Sequence, residues 1–488
     1  MLAAAFLPIL ITIVLVCLIN FNLFVNQNVK DRLSQTVVIL CAGVVFLVSM
    51  YIFCSFNSNT IEPQSGCVLN FNFTYYNFYI SLWLDGLSVL VFLLSSLLTF
   101  LCVIFLAGTH GLTSKTGIIL LTINLFLLIL FSAKDILLFY LCFEAILIPM
   151  FILIGVWGSR EKKVRANILF FFYTFLGSLL MLIALTYIRG SCGSFAFDYI
   201  GSYEFSALEE KYLWLAFFFG FSSKIPMFPF HIWLPEAHVE APTVGSVILA
   251  GILLKMGVYG FIKVHLGLFL AASMFFSPLV FVLCIIGVVV SSCCAIIQND
   301  LKRLIAYSSV AHMNLLTMGV FCGFEVGLTG ALLQCVSHAF TSSGLFFMIG
   351  VLYERYHTRV AFYYSGLNAV MPVFSVLFNI FTLANIALPG SSGFISEVMI
   401  FSGIYLASPI SCLVGATSIF LCSAYSLWLN NKILYGNIKI NNVVEYKDVN
   451  NCEAFVLISL VLLIIFVGVN SEYCLDYILP VSERIGFY

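Results

Sequence analysis

Apolar runs of about 20 residues, parted by short polar links, recur from one end of the chain to the other. That is the length an α-helix needs to cross the roughly 30 Å of a bilayer core. The pattern predicts about fourteen membrane helices, near 3–25, 36–56, 79–106, 113–132, 135–157, 164–188, 212–234, 242–267, 271–296, 300–321, 325–352, 363–403, 411–436 and 452–470. The fold class is an all-α polytopic membrane protein. The first run has no basic stretch before it and no small-residue cleavage site, so it reads as a retained helix. With no Arg-rich transit peptide ahead of it, the expectation is a chain made in a bacterium or inside the organelle whose membrane it enters.

Two runs carry breakers. The stretch 363–403 is too long for one straight helix and contains Leu388-Pro389-Gly390-Ser391-Ser392-Gly393. The seventh run contains Ser222-Ser223-Lys224-Ile225-Pro226-Met227-Phe228-Pro229. Proline removes a backbone donor and clashes with the carbonyl one turn earlier, so both helices should open. Open backbone at membrane depth must be buried in protein or line water. Broken helices five spans apart predict two inverted five-helix repeats, spans 4–8 and 9–13. The expected organisation is 1–110 for the first three helices, 111–267 and 268–436 for the repeats, and 437–488 for a loop, the last helix and a tail.

Composition agrees with the pattern: 62% hydrophobic, 9% charged, mean hydropathy +1.11. With 21 Lys+Arg against 22 Asp+Glu there is no basic footprint, and no nucleic-acid partner is expected. The 16 cysteines lie mostly alone in apolar runs, without C-x-x-C, and read as small core residues. There is no G-x-G-x-x-G after a strand, no phosphate loop and no cysteine set for an iron–sulfur cluster, so no cofactor or metal is expected in this chain. If the amino terminus is outside, fourteen Lys and Arg fall on inner loops and five on outer ones, with Lys224 and Lys255 in the membrane. Asn72-Phe73-Thr74 is a sequon on an outer loop, read as unglycosylated.

The exceptions to apolarity carry the function. Glu144, Lys224, Lys255 and Glu397 lie inside membrane runs. Each charge opposes insertion by roughly 2.5–3.5 kcal/mol, so the four cost about 10–14 kcal/mol before they find partners. A buried Lys loses charge by desolvation and regains it when an acid approaches. A swing of about 3 pKa units is worth roughly 4 kcal/mol, close to the 3.5–4.6 kcal/mol of moving a proton against about 150–200 mV. A switchable Glu–Lys pair could therefore drive a proton step. His312 and His338 titrate near neutrality and suit the gap between Lys255 and Glu397. His231, His238 and Glu240 flank the seventh-span break and read as structural or as part of an inlet. Asp85 reads as structural, Asp300, Lys302 and Arg303 as a helix cap with neighbours, 160–165 as an anchoring loop, and Tyr435-Gly436 as a helix end.

Several runs resemble one family. Trp83-Leu84-Asp85-Gly86-Leu87-Ser88, Phe139-Tyr140-Leu141-Cys142-Phe143-Glu144 closed by Ile148-Pro149, and Trp157-Gly158-Ser159-Arg160 are similar to the chain 4 family of respiratory complex I. His231-Ile232-Trp233-Leu234-Pro235-Glu236-Ala237-His238-Val239-Glu240-Ala241-Pro242-Thr243 is more specific to it. Asp300-Leu301-Lys302-Arg303-Leu304-Ile305-Ala306-Tyr307-Ser308-Ser309-Val310 and His312-Met313 resemble the wider antiporter-like family. The likeness runs from about 83 to 436. His338-Ala339 and Ser396-Glu397 stand where the family usually has His-Gly and Gly-Glu, and no ionisable group is lost.

The resemblance implies a proton-pumping membrane-arm subunit. Glu144 and Lys224 would be the paired switch, Lys255 the central relay, and Glu397 the acid of the second half. NADH, FMN, iron–sulfur clusters and ubiquinone would be used by other subunits. The partners would be membrane lipids and the other membrane-arm subunits, especially the antiporter-like chains 2 and 5. The location would be the mitochondrial inner membrane, with the chain organelle-encoded; the high Phe count, 50, suits an AT-rich genome. Two rival functions are a subunit of a sodium/proton antiporter complex and a non-pumping structural subunit of the membrane arm. The run 238–242 argues against the first, and the insertion cost of four ionisable groups against the second.

Overall fold

The computed structural model describes residues 2–21, 27–58, 63–72, 77–109, 111–438 and 447–485. Phe73 and Thr74 of the sequon and Lys439 of an inner loop lie outside the described residues. In chain order the elements are α1 (Leu2–Phe21), α2 (Gln27–Ser55), β1 (Gln64–Asn72), β2 (Asn77–Leu84), α3 (Gly86–Gly108), α4 (Ser114–Ser132), α5 (Ile136–Ala145), α6 (Leu147–Trp157), α7 (Lys163–Cys192) and α8 (Phe197–Gly201). Then come α9 (Ala207–Lys224), α10 (Trp233–Glu240), α11 (Thr243–Ile248), α12 (Leu254–Gly260), α13 (Leu270–Ile297), α14 (Leu301–Val320) and α15 (Glu325–Tyr356). The chain closes with α16 (Leu367–Val370), α17 (Pro372–Asn385), α18 (Ser392–Ala407), α19 (Pro409–Leu434), α20 (Asn451–Val469) and α21 (Glu472–Ile485). Two π-turns, Leu249–Leu253 and Phe261–Leu266, interrupt the helix that α11 and α12 share.

Among the described residues, 10 helices are long and apolar enough to cross a membrane, and 3 shorter apolar helices accompany them. The protein is a multi-pass membrane protein. Two expectations need correction. The third predicted span, 79–106, begins as strand: β2 pairs antiparallel with β1, Leu69 opposite Ile80, and the helix starts only at Gly86. Asp85 sets that start, its Oδ1 accepting from the Ser88 N–H at 3.1 Å. The fold is therefore mostly helical with one hairpin rather than all-α. The twelfth predicted span, 363–403, opens at its Pro-Gly breaker as expected into two helices, α17 and α18, preceded by a 3₁₀ turn at Ala361–Tyr363 and the single turn α16. Finally, α21 is a helix where only a tail was expected; it buries Cys474, Ile478 and Val481 and leaves Tyr473 and Leu479 exposed. The end at Tyr435-Gly436 is as expected: Tyr435 caps α19 and Gly436 has φ 96°.

Helix α15 is the hub. It is buried from Gly327 to Leu352 and packs against α14, α17, α18, α20, α21 and α11. Small residues allow the closest approach: a Cβ on Gly403 would sit 2.4 Å from Gly327 Cα, and one on Gly330 would meet Met399 Cβ at 2.6 Å. That contact seats α18, and with it Glu397, against the face of α15 that carries His338. The termini of the bundle are stitched by charge. At one end Lys134, Lys263 and Arg484 surround the Trp83 ring at 5.2, 5.6 and 5.7 Å. At the other end Arg160 pairs with Asp300 at 3.5 Å, Arg303 with Glu236 at 2.6 Å, and Arg355 with Glu453 at 2.6 Å.

Candidate functional site: a buried ionisable axis

Helix α9 stops at Lys224 because Pro226 and Pro229 cannot continue it. Met227 N–H reaches back to Ser222 O at 3.3 Å. The freed Ser223 carbonyl is taken by Trp233 Nε1–H at 2.8 Å, and the Pro226 carbonyl by Asn314 Nδ2–H at 3.2 Å. Lys224 is thus fixed at the edge of an opened backbone, 3% exposed. Its Nζ lies 4.8 Å from the centre of the Phe143 ring and 5.9 Å from that of Phe170. Glu144 is the acid whose field acts on it. Even so, among the described residues no carboxylate oxygen lies within 4.0 Å of Lys224 Nζ. Glu144 ends a helix in the same way: α5 gives way to α6 at Ile146, one turn into the region where Pro149 removes a donor. The Ser178 hydroxyl lies against its carboxylate, and Oε1 has no hydrogen-bond partner among the described residues.

Lys255 lies just past the π-turn Leu249–Leu253, where the backbone ladder is loosened. Its Nζ donates to the Ala250 carbonyl at 2.6 Å and lies 2.9 Å from His338 Nδ1. His338 and His312 have ring centroids 5.8 Å apart. His312 Nδ1 is 3.4 Å from Glu397 Oε1. A cavity of about 10 Å³, on the order of one water, is lined by both histidines, Gln334, Ser337, Asn385 and Glu397. Four of the six residues singled out as a relay thus form one connected run, Lys255, His338, His312 and Glu397. Lys224 and Glu144 form a second group. Between the groups Ile225 packs on Gly257, where an added Cβ would meet its Cγ1 at 2.5 Å, and no direct hydrogen bond joins Lys224 to Lys255.

Sequence reasoning placed Lys302 in a helix cap. Asp300 does cap α14, accepting from the Lys302 backbone N–H at 3.0 Å. The Lys302 side chain is instead buried at 1% exposure, with Nζ donating to Ala241 O at 2.9 Å. Beside it His238 is fully buried, stacked on Phe346 at 4.7 Å, and neither ring nitrogen has a hydrogen-bond partner among the described residues. The charges of Lys302 and Lys255 both act on His238, and those of Glu240 and Glu354 act on Lys302. This cluster extends from the centre toward the end of the bundle that carries Arg160 and Arg303. The signal that could have exposed Lys302 is its spacing: seven and ten residues on, Ser309 and His312 share its buried helix face. His231, by contrast, is half-buried against Phe228, ring to ring at 5.7 Å, and touches none of the six.

Asp85, at the opposite end, is structural. Burial penalises its charge, but Lys263, whose Nζ bonds Oδ2, and Ser88 hold its carboxyl below the usual range. Among the described residues no group of three His, Cys, Asp or Glu could hold a metal ion.

A mostly helical, multi-pass bundle with two opened helices and a buried file of lysines, histidines and acids defines an antiporter-like membrane subunit. Residues 133–422 match the family described as NADH:quinone oxidoreductase/Mrp antiporter, TM. NADH-ubiquinone oxidoreductase chain 4 of Chondrus crispus is 42% identical over 474 residues, covering 97% of this chain and 96% of that protein. The chain 4 protein of Arabidopsis thaliana is 43% identical over 452 residues, 92% and 91%. A chain in the structure of respiratory complex I from Thermus thermophilus with bound NADH superposes with a TM-score of 0.87 at 29% identity, covering 99% of this chain and 98% of that one. A chain of the Mrp complex from Dietzia sp. superposes at 0.86 with 18% identity, a likeness of fold alone. The chain belongs to the NADH-ubiquinone oxidoreductase chain 4 family, membrane subunits of the H⁺-translocating complex I. The likeness thus extends well beyond the 83–436 read from the motifs.

Proposed function

We propose that this chain is a proton-translocating membrane-arm subunit of respiratory complex I, in which Glu144, Lys224, Lys255, His338, His312 and Glu397 pass protons. The observation that carries the reading is the file from Lys255 to His338 Nδ1 at 2.9 Å, from His338 to His312 with ring centroids 5.8 Å apart, and from His312 to Glu397 at 3.4 Å. Lys255 as an ammonium donates to His338 Nδ1; as a neutral amine it accepts from it. A proton leaving Lys255 therefore has a basic nitrogen at hydrogen-bond distance, a second imidazole one water further, and a carboxylate beyond. Lys224 is the Lys that desolvation and a movable acid can switch, and Glu144 is placed to be that acid. The buried file Glu240, Lys302 and His238 supports an inlet from the Arg160 end to Lys255.

In this reading about fourteen membrane helices form two inverted repeats, 111–267 and 268–436, between three leading helices, 1–110, and the closing segment 437–488. Each repeat contributes one broken helix, α9–α10 and α17–α18. Electron transfer from NADH through FMN and iron–sulfur clusters to ubiquinone takes place in other subunits. The neighbours are chains 2 and 5, and the chain is made in the mitochondrion for its inner membrane. The first experiment is native-gel separation of gently solubilised membranes, with staining for NADH-dependent dye reduction and identification of the chain by mass spectrometry. Co-migration with a large NADH-active band is expected. Migration in a smaller, NADH-inactive assembly that transports sodium would replace this reading with the antiporter one.

A further inference from the structure

The break between α17 and α18 leaves a carbonyl in need of a donor. In a continuous helix Asn385 C=O would accept from residue 389, but Pro389 has no N–H. The group that faces this carbonyl is the thiol of Cys422 on α19, Sγ to Asn385 O 3.4 Å. The same sulfur is 3.7 Å from His312 Nε2 and accepts from the Tyr425 hydroxyl at 3.0 Å. The Asn385 side-chain amide lies 3.8 Å away and also donates to Ser426 Oγ at 3.2 Å. Cys422 therefore sits on the Nε2 side of the ring whose Nδ1 side faces Glu397 at 3.4 Å. The site is tight: a cavity of about 10 Å³ is bordered by Cys422, Tyr425, Ser418, His312 and Glu397.

A thiol has one proton, and its two nearest acceptors here are Asn385 O and His312 Nε2, with Ser426 Oγ at 4.0 Å. When His312 is neutral with its proton on Nδ1, Nε2 is a lone pair, and the thiol donates to it. When His312 is protonated on both nitrogens, Nε2–H points at the sulfur lone pairs and the thiol turns to Asn385 O. Both states keep Nδ1–H aimed at the Glu397 carboxylate. Without a donor on the Nε2 side, the other tautomer, with Nε2–H and a bare Nδ1, is left free to form, and it faces Glu397 with a lone pair against a lone pair. The groups facing His312 are Glu397 from α18, His338 from α15, Cys422 and Tyr425 from α19, and Asn385 from α17.

We propose that Cys422, held by Tyr425 and by the Asn385 carbonyl that Pro389 leaves unpaired, is a positioning residue that fixes the neutral tautomer of His312 and so keeps the His312–Glu397 proton step in register. This rests on the relay reading above. The test uses the assembled complex in proteoliposomes carrying Cys422→Ser, which keeps a donor, or Cys422→Val, which puts a methyl in place of the thiol, adds one more, and has no donor. Protons moved per NADH are measured against pH, with Glu397→Gln as the control. A hydrogen bond of about 0.5–1.5 kcal/mol corresponds to roughly 2–13-fold. Cys422→Val is expected to lower coupled turnover by about that factor and to shift the pH profile, with KM for NADH and quinone unchanged. Cys422→Ser should lie within about two-fold of the parent. A Val profile identical to the parent overturns the proposal, as does a Ser variant as defective as Val. If Val does not assemble, Cys422→Ala is compared with Ser on the same criteria. If Glu397→Gln pumps normally the relay itself fails, which separates that outcome from the failure of Cys422 alone.

Discussion

Replacing Lys224 with Met separates a pump from a scaffold. Methionine keeps the length of the side chain and removes its charge. On insertion scales that relieves roughly 2.5–3.5 kcal/mol, against the loss of cation–π contacts with Phe143 and Phe170 of about 0.5–2 kcal/mol. The variant complex should therefore assemble as well as the parent. Function is another matter. With Glu144 beyond 4.0 Å of Nζ, the pair energy at an effective dielectric of 20 stays under about 4 kcal/mol, and drawing the charges from about 8 to 4 Å changes it by about 2 kcal/mol. That change is half of the roughly 3.5–4.6 kcal/mol needed per proton at about 150–200 mV, so the pair can bear a large share of one step. Loss of a contribution of about 2 kcal/mol slows a step by about 30-fold. In proteoliposomes energised with NADH, with a pH-sensitive dye inside, the ratio of protons moved to NADH oxidised should fall by the share this subunit carries. A fully assembled Lys224→Met complex with the parent ratio would refute the argument.

Four further outcomes follow from the geometry. Glu144→Gln removes the movable charge but no volume; turnover against a membrane potential should slow while uncoupled turnover changes little, read by adding a protonophore. Arg355→Met leaves Glu453, 1% exposed, without its cation; breaking such a pair costs about 3–5 kcal/mol, so the amount of assembled complex on a native gel should fall while the proton yield of what remains is unchanged. Trp233→Phe orphans the Ser223 carbonyl, a cost of about 1–3 kcal/mol that should appear as faster proteolysis near the α9–α10 break. Asp85→Asn should destabilise the Trp83 end by about 3–5 kcal/mol. Because Asp85 titrates below its usual range, its stabilisation is complete above its unfolded pKa of about 3.9 and is lost as pH falls through the lower folded value. The parent should therefore begin to lose this component as pH falls below about 4, and the Asn variant should lack that acid-sensitive component in a thermal-shift titration.

The membrane class, both helix breaks and the six ionisable residues were legible because each is a local signal: a run of apolar residues, a Pro beside a Gly, a charge where none is tolerated. What was not legible depends on direction rather than on content. A hydropathy window sums residues without asking which face they occupy, so α21 was missed although Cys474, Ile478 and Val481 recur at helical spacing. The same window blended β2 into the third span, since Asn77–Leu84 has no charged residue and leads, across Asp85 alone, into the helix that follows. Lys302 reads as part of a helix cap because Asp300 and Arg303 flank it; only the turn of α14 sends its side chain inward. Cys422 was counted with the other cysteines as a small core residue, and no sequence rule says that Pro389, 33 residues earlier, leaves a carbonyl opposite it.

These details share one cause. Opening a helix at membrane depth exposes carbonyls that neither lipid nor the ladder can satisfy, so each must be met by a side chain from elsewhere. Ser223 O is met by Trp233, Pro226 O by Asn314, Ala250 O by Lys255 and Asn385 O by Cys422. The donors stand within or beside the proton axis: Lys255 is in it, Cys422 touches His312, Asn314 lies two residues beyond His312, and Trp233 braces the helix that ends at Lys224. The breaks do more than make room for charge. By obliging relay-side groups to hold the backbone open, they tie the conformation of each broken helix to the hydrogen bonds of the axis. A change of protonation on Lys255 or His312 must then alter the partners of a carbonyl at a break. In the proposed pump, a force applied to α10 or α18 would conversely be felt at the relay through these same bonds.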